Sequence, residues 1–177
     1  MLSKEKALSI KMLIMDVDGV LTDAGMYYSE NGDELKKFST YDGMAIHLLR
    51  NHNIKSAIIT GENTRIVERR AAKLKIDHVY HGIKDKLPVA LEICSKENIS
   101  LNEVAYIGDD VNDLEVLQNV GLAACPANAM KAIKAIPGIL QLHKSGGEGV
   151  VRELAEMILD YYPDPFPSKG VKESGIQ

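Results

Sequence analysis

The chain has 177 residues, 45% hydrophobic and 26% charged, an ordinary globular balance at a length that fits one domain better than two. Lys and Arg number 21 against 25 Asp and Glu, so the net charge is −4 and the composition lacks the basic excess that nucleic-acid binding selects. Cys94 and Cys125 stand far apart in apolar settings and read as buried thiols of a reducing compartment, not as a disulfide or zinc framework.

The opening stretch, MLSKEKALSIKMLIMDVDG, is broken by lysines and closed by aspartates, and reads as neither a signal peptide nor a membrane span. The expectation is a soluble cytoplasmic protein with no nucleic-acid or membrane partner. Met12–Met15 is a short all-apolar run and predicts a strand buried on both faces. Residues 25–38 alternate around Asn31-Gly32, a hairpin signal. A helix is expected over 43–51, a buried strand over 56–60, a charged helix over 63–74 and a short strand over 78–80. Pro88 suits a first helical turn, and 89–96 continues that helix. Residues 104–107 and 121–125 read as strands, 113–119 and 128–135 as helices, and 138–142 as extended. The last helix is expected over 149–162, and the proline-bearing stretch 163–177 as a flexible tail. The βα alternation predicts an α/β fold, a Rossmann-like parallel sheet with helices on both faces, in one domain over 1–162. The hairpin interrupts that rhythm and, marginal alone, needs something to pack on.

Ligands of an open parallel sheet bind at the carboxyl ends of its strands. The first strand ends in Asp16-Val17-Asp18-Gly19, the second in Thr60-Gly61-Glu62, and a later one in Gly108-Asp109-Asp110 with Asp113 close behind; Lys86 precedes a helix between them. Carboxylates so gathered repel, and a hard divalent cation such as Mg2+ relieves this. A hydroxyl and a lysine remain to hold a phosphate. Asp16 is the candidate nucleophile for an aspartyl-phosphate, and Asp18 the candidate acid and base. DVDG is not a calcium loop, because position four is Gly19 and position twelve is Tyr27. There is no phosphate-binding GxxxxGK[ST], and SGGEG at 145–149 lacks the dinucleotide spacing.

The DxDGVxTD of 16–23, Thr60, Lys86 and the GDDxxD of 108–113 resemble the four motifs of haloacid dehalogenase-type phosphatases. The short chain and early hairpin resemble the capless group, the family of 3-deoxy-D-manno-octulosonate 8-phosphate phosphatases, whose near relatives act on nonulosonate 9-phosphates. The resemblance spans about residues 10–162. It implies Asp16 as nucleophile and Mg2+ ligand, and Asp18 as acid/base with its carbonyl on the metal. It implies Thr60, with Gly61 beside it, and Lys86 on the phosphoryl group, Asp109 as the third metal ligand, and Asp110 and Asp113 as orienters behind it. It also implies a homotetramer associated through hairpin 25–38, with Arg70 offered to a neighbour's substrate.

Glu62 stands where many octulosonate-type members carry Arg, and with Lys73 looks more like the nonulosonate type, whereas Asp42-Gly43 resembles the octulosonate type. Glu62 could instead cap the following helix, and Arg69, Arg70 and Lys73 could be a solvated face. The glycines of 145–149 could present amides to an anion or form a plain loop. Lys169 or Lys172 of the tail could approach a neighbour's substrate. The expected function is hydrolysis of a phosphorylated 3-deoxy-2-ulosonic acid. The alternatives are a phosphoacceptor signalling domain, which would lack the second aspartate of the DxD pair, and a catalytically idle scaffold.

Overall fold

The computed structural model describes residues 2–32 and 34–163. Strand β1 (Met12–Met15) is followed by a hairpin of β2 (Tyr27–Tyr28) and β3 (Glu34–Leu35). Then come β4 (Lys55–Ile59), β5 (His78–Tyr80), β6 (Val104–Ile107), β7 (Leu122–Cys125) and β8 (Leu140–Gln141). The six strands other than the hairpin form one sheet in the order β5-β4-β1-β6-β7-β8, each neighbouring pair parallel. The chain leaves β1 toward β4 and β5, then returns to β6 on the other side of β1. The order thus reverses at β1, the place where such sheets open a crevice.

The helices are α1 (Lys4–Ser9), α2 (Thr40–Asn51), α3 (Arg65–Leu74), α4 (Lys86–Glu97), α5 (Leu114–Leu117), α6 (Lys131–Lys134) and α7 (Val150–Leu159). Alternate residues of one strand serve opposite faces of the sheet. Leu13 and Met15 pack with Ile46 and Leu49 of α2, Val67 of α3 and Leu154 of α7. Met12 and Ile14 pack with Ala90 and Ile93 of α4, Val116 of α5 and Ile133 of α6. Both faces are therefore covered, which is why β1 and β6 read as unbroken apolar runs.

Several boundaries differ from the sequence reading. The helix expected over 43–51 begins at Thr40, because Ser39 accepts the Tyr41 amide at 3.2 Å as its N-cap. The helix expected over 113–119 is a 3-10 turn at Val111–Asp113 running into the short α5, and the one over 128–135 shrinks to α6. Helix α1 lies in a stretch given no element. The tail from residue 164, with Lys169 and Lys172, lies outside the described residues.

Asp42 of α2 joins two elements. It is buried, and its Oδ1 accepts the Arg152 amide at 3.0 Å in the first turn of α7. Burial pushes its carboxyl up to about 6, against the pull of the α7 amides.

Candidate active site

The chain leaves β1 at Asp16 and turns at once. Asp18 has φ −79 and ψ 118, and Gly19 has φ 88 and ψ −5, the pair of angles of a type II turn whose third residue must be glycine. That turn brings the DxD pair back over the strand end. Thr60 follows β4, Asp109 follows β6, and Lys86 opens α4. A pocket of about 380 Å³ is lined by Asp16, Asp18, Thr60, Gly61, Glu62, Asp109 and Asp110, with Ala24, Val111 and Met130 at its rim.

Lys86 organises its floor. A lysine in the first turn of a helix opposes the helix dipole, yet here its side chain is wholly enclosed. Its Nζ lies 2.9 Å from Asp16 Oδ1 and 2.7 Å from Asp113 Oδ1. Asp113 Oδ1 also accepts the Tyr106 hydroxyl at 2.6 Å, and its Oδ2 accepts the amides of Asp109 at 3.0 Å and Asp110 at 3.4 Å. These four donors fill the acceptor capacity of one carboxylate. Oxygens of Asp16, Asp109 and Asp113 lie within 4.8 Å of one another, but Asp113 has no lone pair left for a metal. Asp109 Oδ1 is buried with no hydrogen-bond partner among the described residues. Burial, then the charge of Asp113, raises the Asp16 carboxyl to about 7. Burial, then Asp16 and Asp113, raises Asp109 to about 7 as well. Two crowded hard oxygen donors, one of them orphaned, fit a small divalent cation.

Asp18 lines the same pocket. Its two carboxylate oxygens accept from Lys36 Nζ at 2.7 and 2.8 Å, and Oδ1 also accepts the Thr22 hydroxyl at 3.3 Å. Thr60 is buried, and its hydroxyl accepts the Glu62 amide at 3.4 Å. Asp110 caps the turn that follows it, accepting the Val111 amide at 2.7 Å.

The model of haloacid dehalogenase-like hydrolases matches residues 78–154. The 3-deoxy-D-manno-octulosonate 8-phosphate phosphatase of Salmonella typhi is 42% identical over 155 residues, which is 87% of this chain and 81% of that protein. The chain belongs to the 3-deoxy-D-manno-octulosonate 8-phosphate phosphatase family of haloacid dehalogenase-like hydrolases. It is a phosphatase. The crystal structure of the Moraxella catarrhalis phosphatase, in complex with magnesium, phosphate and KDO, superposes with a TM-score of 0.86 at 38% identity, covering 89% of this chain and 90% of that one. The cobalt-bound Haemophilus influenzae phosphatase superposes at 0.84 with 34% identity, covering 88% of this chain and 91% of that one.

The residues expected to read the substrate are divided. Glu62 is exposed on the catalytic pocket, and the N-cap of α3 is Thr64, so Glu62 does not cap that helix. Arg70 and Lys73 instead line a separate cleft of about 400 Å³ between α3 and the hairpin, with Arg69, Leu35, Lys36 and Phe38. Arg70 donates to the Ser39 carbonyl at 2.8 Å and lies 5.6 Å from the centre of the Phe38 ring. Within one chain they do not reach the Asp16 pocket.

The glycine loop at 145–149 is a buttress. Gly147 donates to the Val20 carbonyl at 2.9 Å and Gly146 to Asn128 Oδ1 at 2.8 Å, while Asn128 Nδ2 donates to the Gly19 carbonyl at 3.2 Å. Those two amides hold the DxD turn and are not offered to an anion. Lys36, Tyr106 and Asn128 were not singled out from the sequence. A lysine beside Leu35, a tyrosine inside VAYI and an asparagine after a proline carry no local signal of what they meet.

Proposed function

We propose that the chain is a Mg2+-dependent phosphomonoesterase acting on a phosphorylated 3-deoxy-2-ulosonic acid, octulosonate 8-phosphate or a nonulosonate 9-phosphate, through an aspartyl-phosphate. The observation that carries this reading is the buried Asp16 anchored to Lys86 at the floor of an open pocket, beside the unpartnered Asp109 Oδ1. The Salmonella typhi and Moraxella catarrhalis proteins, named for octulosonate 8-phosphate, support the substrate class.

Asp16 attacks phosphorus, its orientation fixed by Lys86. Asp16, Asp109 and the Asp18 carbonyl would hold the cation, which neutralises charge on the transferring group. Thr60 and Lys86 bind phosphoryl oxygens. Asp18 gives a proton to the leaving oxygen as the P–O bond breaks, then takes one from the water that attacks the aspartyl-phosphate. Asp113 and Tyr106 hold Lys86 in place, and Asp110 shapes the turn that carries Asp109. Glu62 accepts from sugar hydroxyls, and Arg70 and Lys73 reach a neighbouring subunit's substrate in a homotetramer. The exposed Tyr27, Tyr28 and Leu35 of the hairpin supply apolar surface for that assembly. No helix among the described residues is long and apolar enough to cross a membrane.

The test is phosphate release from octulosonate 8-phosphate and ketodeoxynononate 9-phosphate side by side, with Mg2+ or EDTA, in wild type and Asp16→Asn. Mg2+-dependent turnover of either substrate, abolished in the variant, supports the reading. Preference for the nine-carbon substrate assigns specificity to Glu62 and Lys73, and the opposite preference makes them bystanders. Full activity in Asp16→Asn would sink the mechanism. A stable phosphoprotein without turnover would return the signalling alternative.

A further inference from the structure

Strand β3 and the residues after it invert the usual pattern. Leu35 is 65% exposed, while the side chain of its neighbour Lys36 is 0% exposed. A hairpin needing only adhesion to the sheet would turn the leucine inward and the ammonium out. Enclosing an ammonium is costly unless a charged partner meets it, and the partner here is Asp18, met on both oxygens at 2.7 and 2.8 Å. Lys36 is not needed to seat the hairpin, whose base is tied by the Thr22–Phe38 bridge, by Phe38 against the core, and by Lys37 with Asp23 at 3.4 Å.

We propose that Lys36 is a positioning residue for Asp18: from the hairpin, its two-point contact aims the carboxyl at the leaving oxygen, so that hairpin seating and proton transfer are coupled. The proposal rests on the reading of Asp18 as acid and base. As the Asp16 oxygen bonds to phosphorus and the ester P–O bond breaks, the departing alkoxide takes a proton that Asp18, whose side chain is 27% exposed, has first accepted from solvent, the paired carboxylate itself carrying none. A carboxyl swung away by one rotamer cannot deliver it. The Thr22 hydroxyl, at 3.3 Å, touches Oδ1 alone and leaves the rotation about the carboxyl bond less restrained.

The coupling has a signature that simple destabilisation lacks. An alkyl leaving group needs a proton, and p-nitrophenolate departs without one. Lys36→Met should lower kcat/KM on octulosonate 8-phosphate, which reports the half-reaction that forms the aspartyl-phosphate, by roughly tenfold to a hundredfold, within the range that acid–base catalysis supplies. kcat/KM on p-nitrophenyl phosphate should fall much less, because the later attack of water, which uses Asp18 as base for both substrates, does not enter that ratio. Lys36→Arg, which keeps two donors, should recover a substantial part of the sugar-phosphate rate. Should Lys36→Met fail to fold, Lys36→Gln, with a neutral donor, should show the same split. Equal losses of kcat/KM on both substrates, or no loss, overturn the proposal. Asp18→Asn run alongside separates the two layers. Its impairment beside an intact Lys36→Met overturns the role of Lys36 alone. Full activity in Asp18→Asn overturns the acid/base reading, and this proposal with it.

Discussion

A Cβ placed on Gly19 would lie 2.0 Å from Asp109 Oδ2, so the turn after β1 and the loop after β6 touch where no side chain fits. The same glycine has φ 88, a conformation costly for any L side chain. Gly19→Ala should therefore cost about 2 kcal/mol or more of stability from backbone strain and the displaced carboxylate together. The displacement shifts the Asp109 carboxylate from its place beside Asp16, so the stabilisation by Mg2+ should weaken with it. Thermal unfolding with and without Mg2+ measures both effects. An unchanged Mg2+ response would mean that Asp109 yields to the methyl without consequence.

Removing one carboxylate tests the cation site from the other side. Asp109 Oδ1 is buried and unpartnered, and Asp16 faces the same space. In EDTA, Asp109→Asn should be at least as stable as wild type, because one member of a repelling pair is neutral. With Mg2+ at about a hundred times its Kd, wild type should gain roughly 2.7 kcal/mol and the variant almost nothing. A variant that loses stability in EDTA and still responds to Mg2+ would place the cation elsewhere.

Tyr106 reaches the nucleophile through Asp113 and Lys86. Its hydroxyl meets Asp113 Oδ1 at 2.6 Å, the same oxygen that Lys86 meets at 2.7 Å. Tyr106→Phe removes that donor without opening much space. The ammonium should then be drawn toward Asp113 and away from Asp16. A loss of about 1.5–3 kcal/mol is expected for a hydrogen bond to a charged acceptor, with kcat down severalfold. Stability equal to wild type would show that the hydroxyl contributes nothing to holding Asp113.

The convergence of Asp16, Thr60 and Asp109 was legible because each follows a short apolar run, and parallel strands deliver their C-terminal residues to one edge; Lys86 was legible from its place just before a helix between those strands. The sheet itself was legible for the same reason. Helix α1 was not: in its single short turn-and-a-half only Ala7 is buried, so the apolar period is too brief to register. Lys36 was hidden because both faces of β3 are partly open, so the alternation could not say which residue points inward. The glycines at 146 and 147 had a readable composition but not a readable reason. A Cβ on Gly146 would meet the Gly19 carbonyl at 2.0 Å, a contact between distant parts of the chain that no local pattern encodes. The division of Arg70 and Lys73 from the catalytic pocket is likewise a property of how α3 sits, not of its spacing.

Asp42 sets a pH dependence independent of the catalytic carboxylates. Burial raises it from 3.8 to about 6, so the fold favours its protonated form more than the unfolded chain does. Between those values the native state binds more protons, and stability must fall as pH rises. The contribution is fully present below 3.8 and is lost as pH passes through about 6. Other groups titrate over the same range, so the difference between wild type and Asp42→Asn isolates this one. The asparagine keeps an acceptor for the Arg152 amide but carries no charge. Relative to it, wild type should lose about 2–3 kcal/mol between acid and neutral pH, the linkage equivalent of the shift. Most of that change should come before pH 7, with a plateau above. Denaturant unfolding of both proteins across this range measures the difference. A flat difference would mean that the amides at the start of α7 hold the Asp42 carboxylate as well as water does.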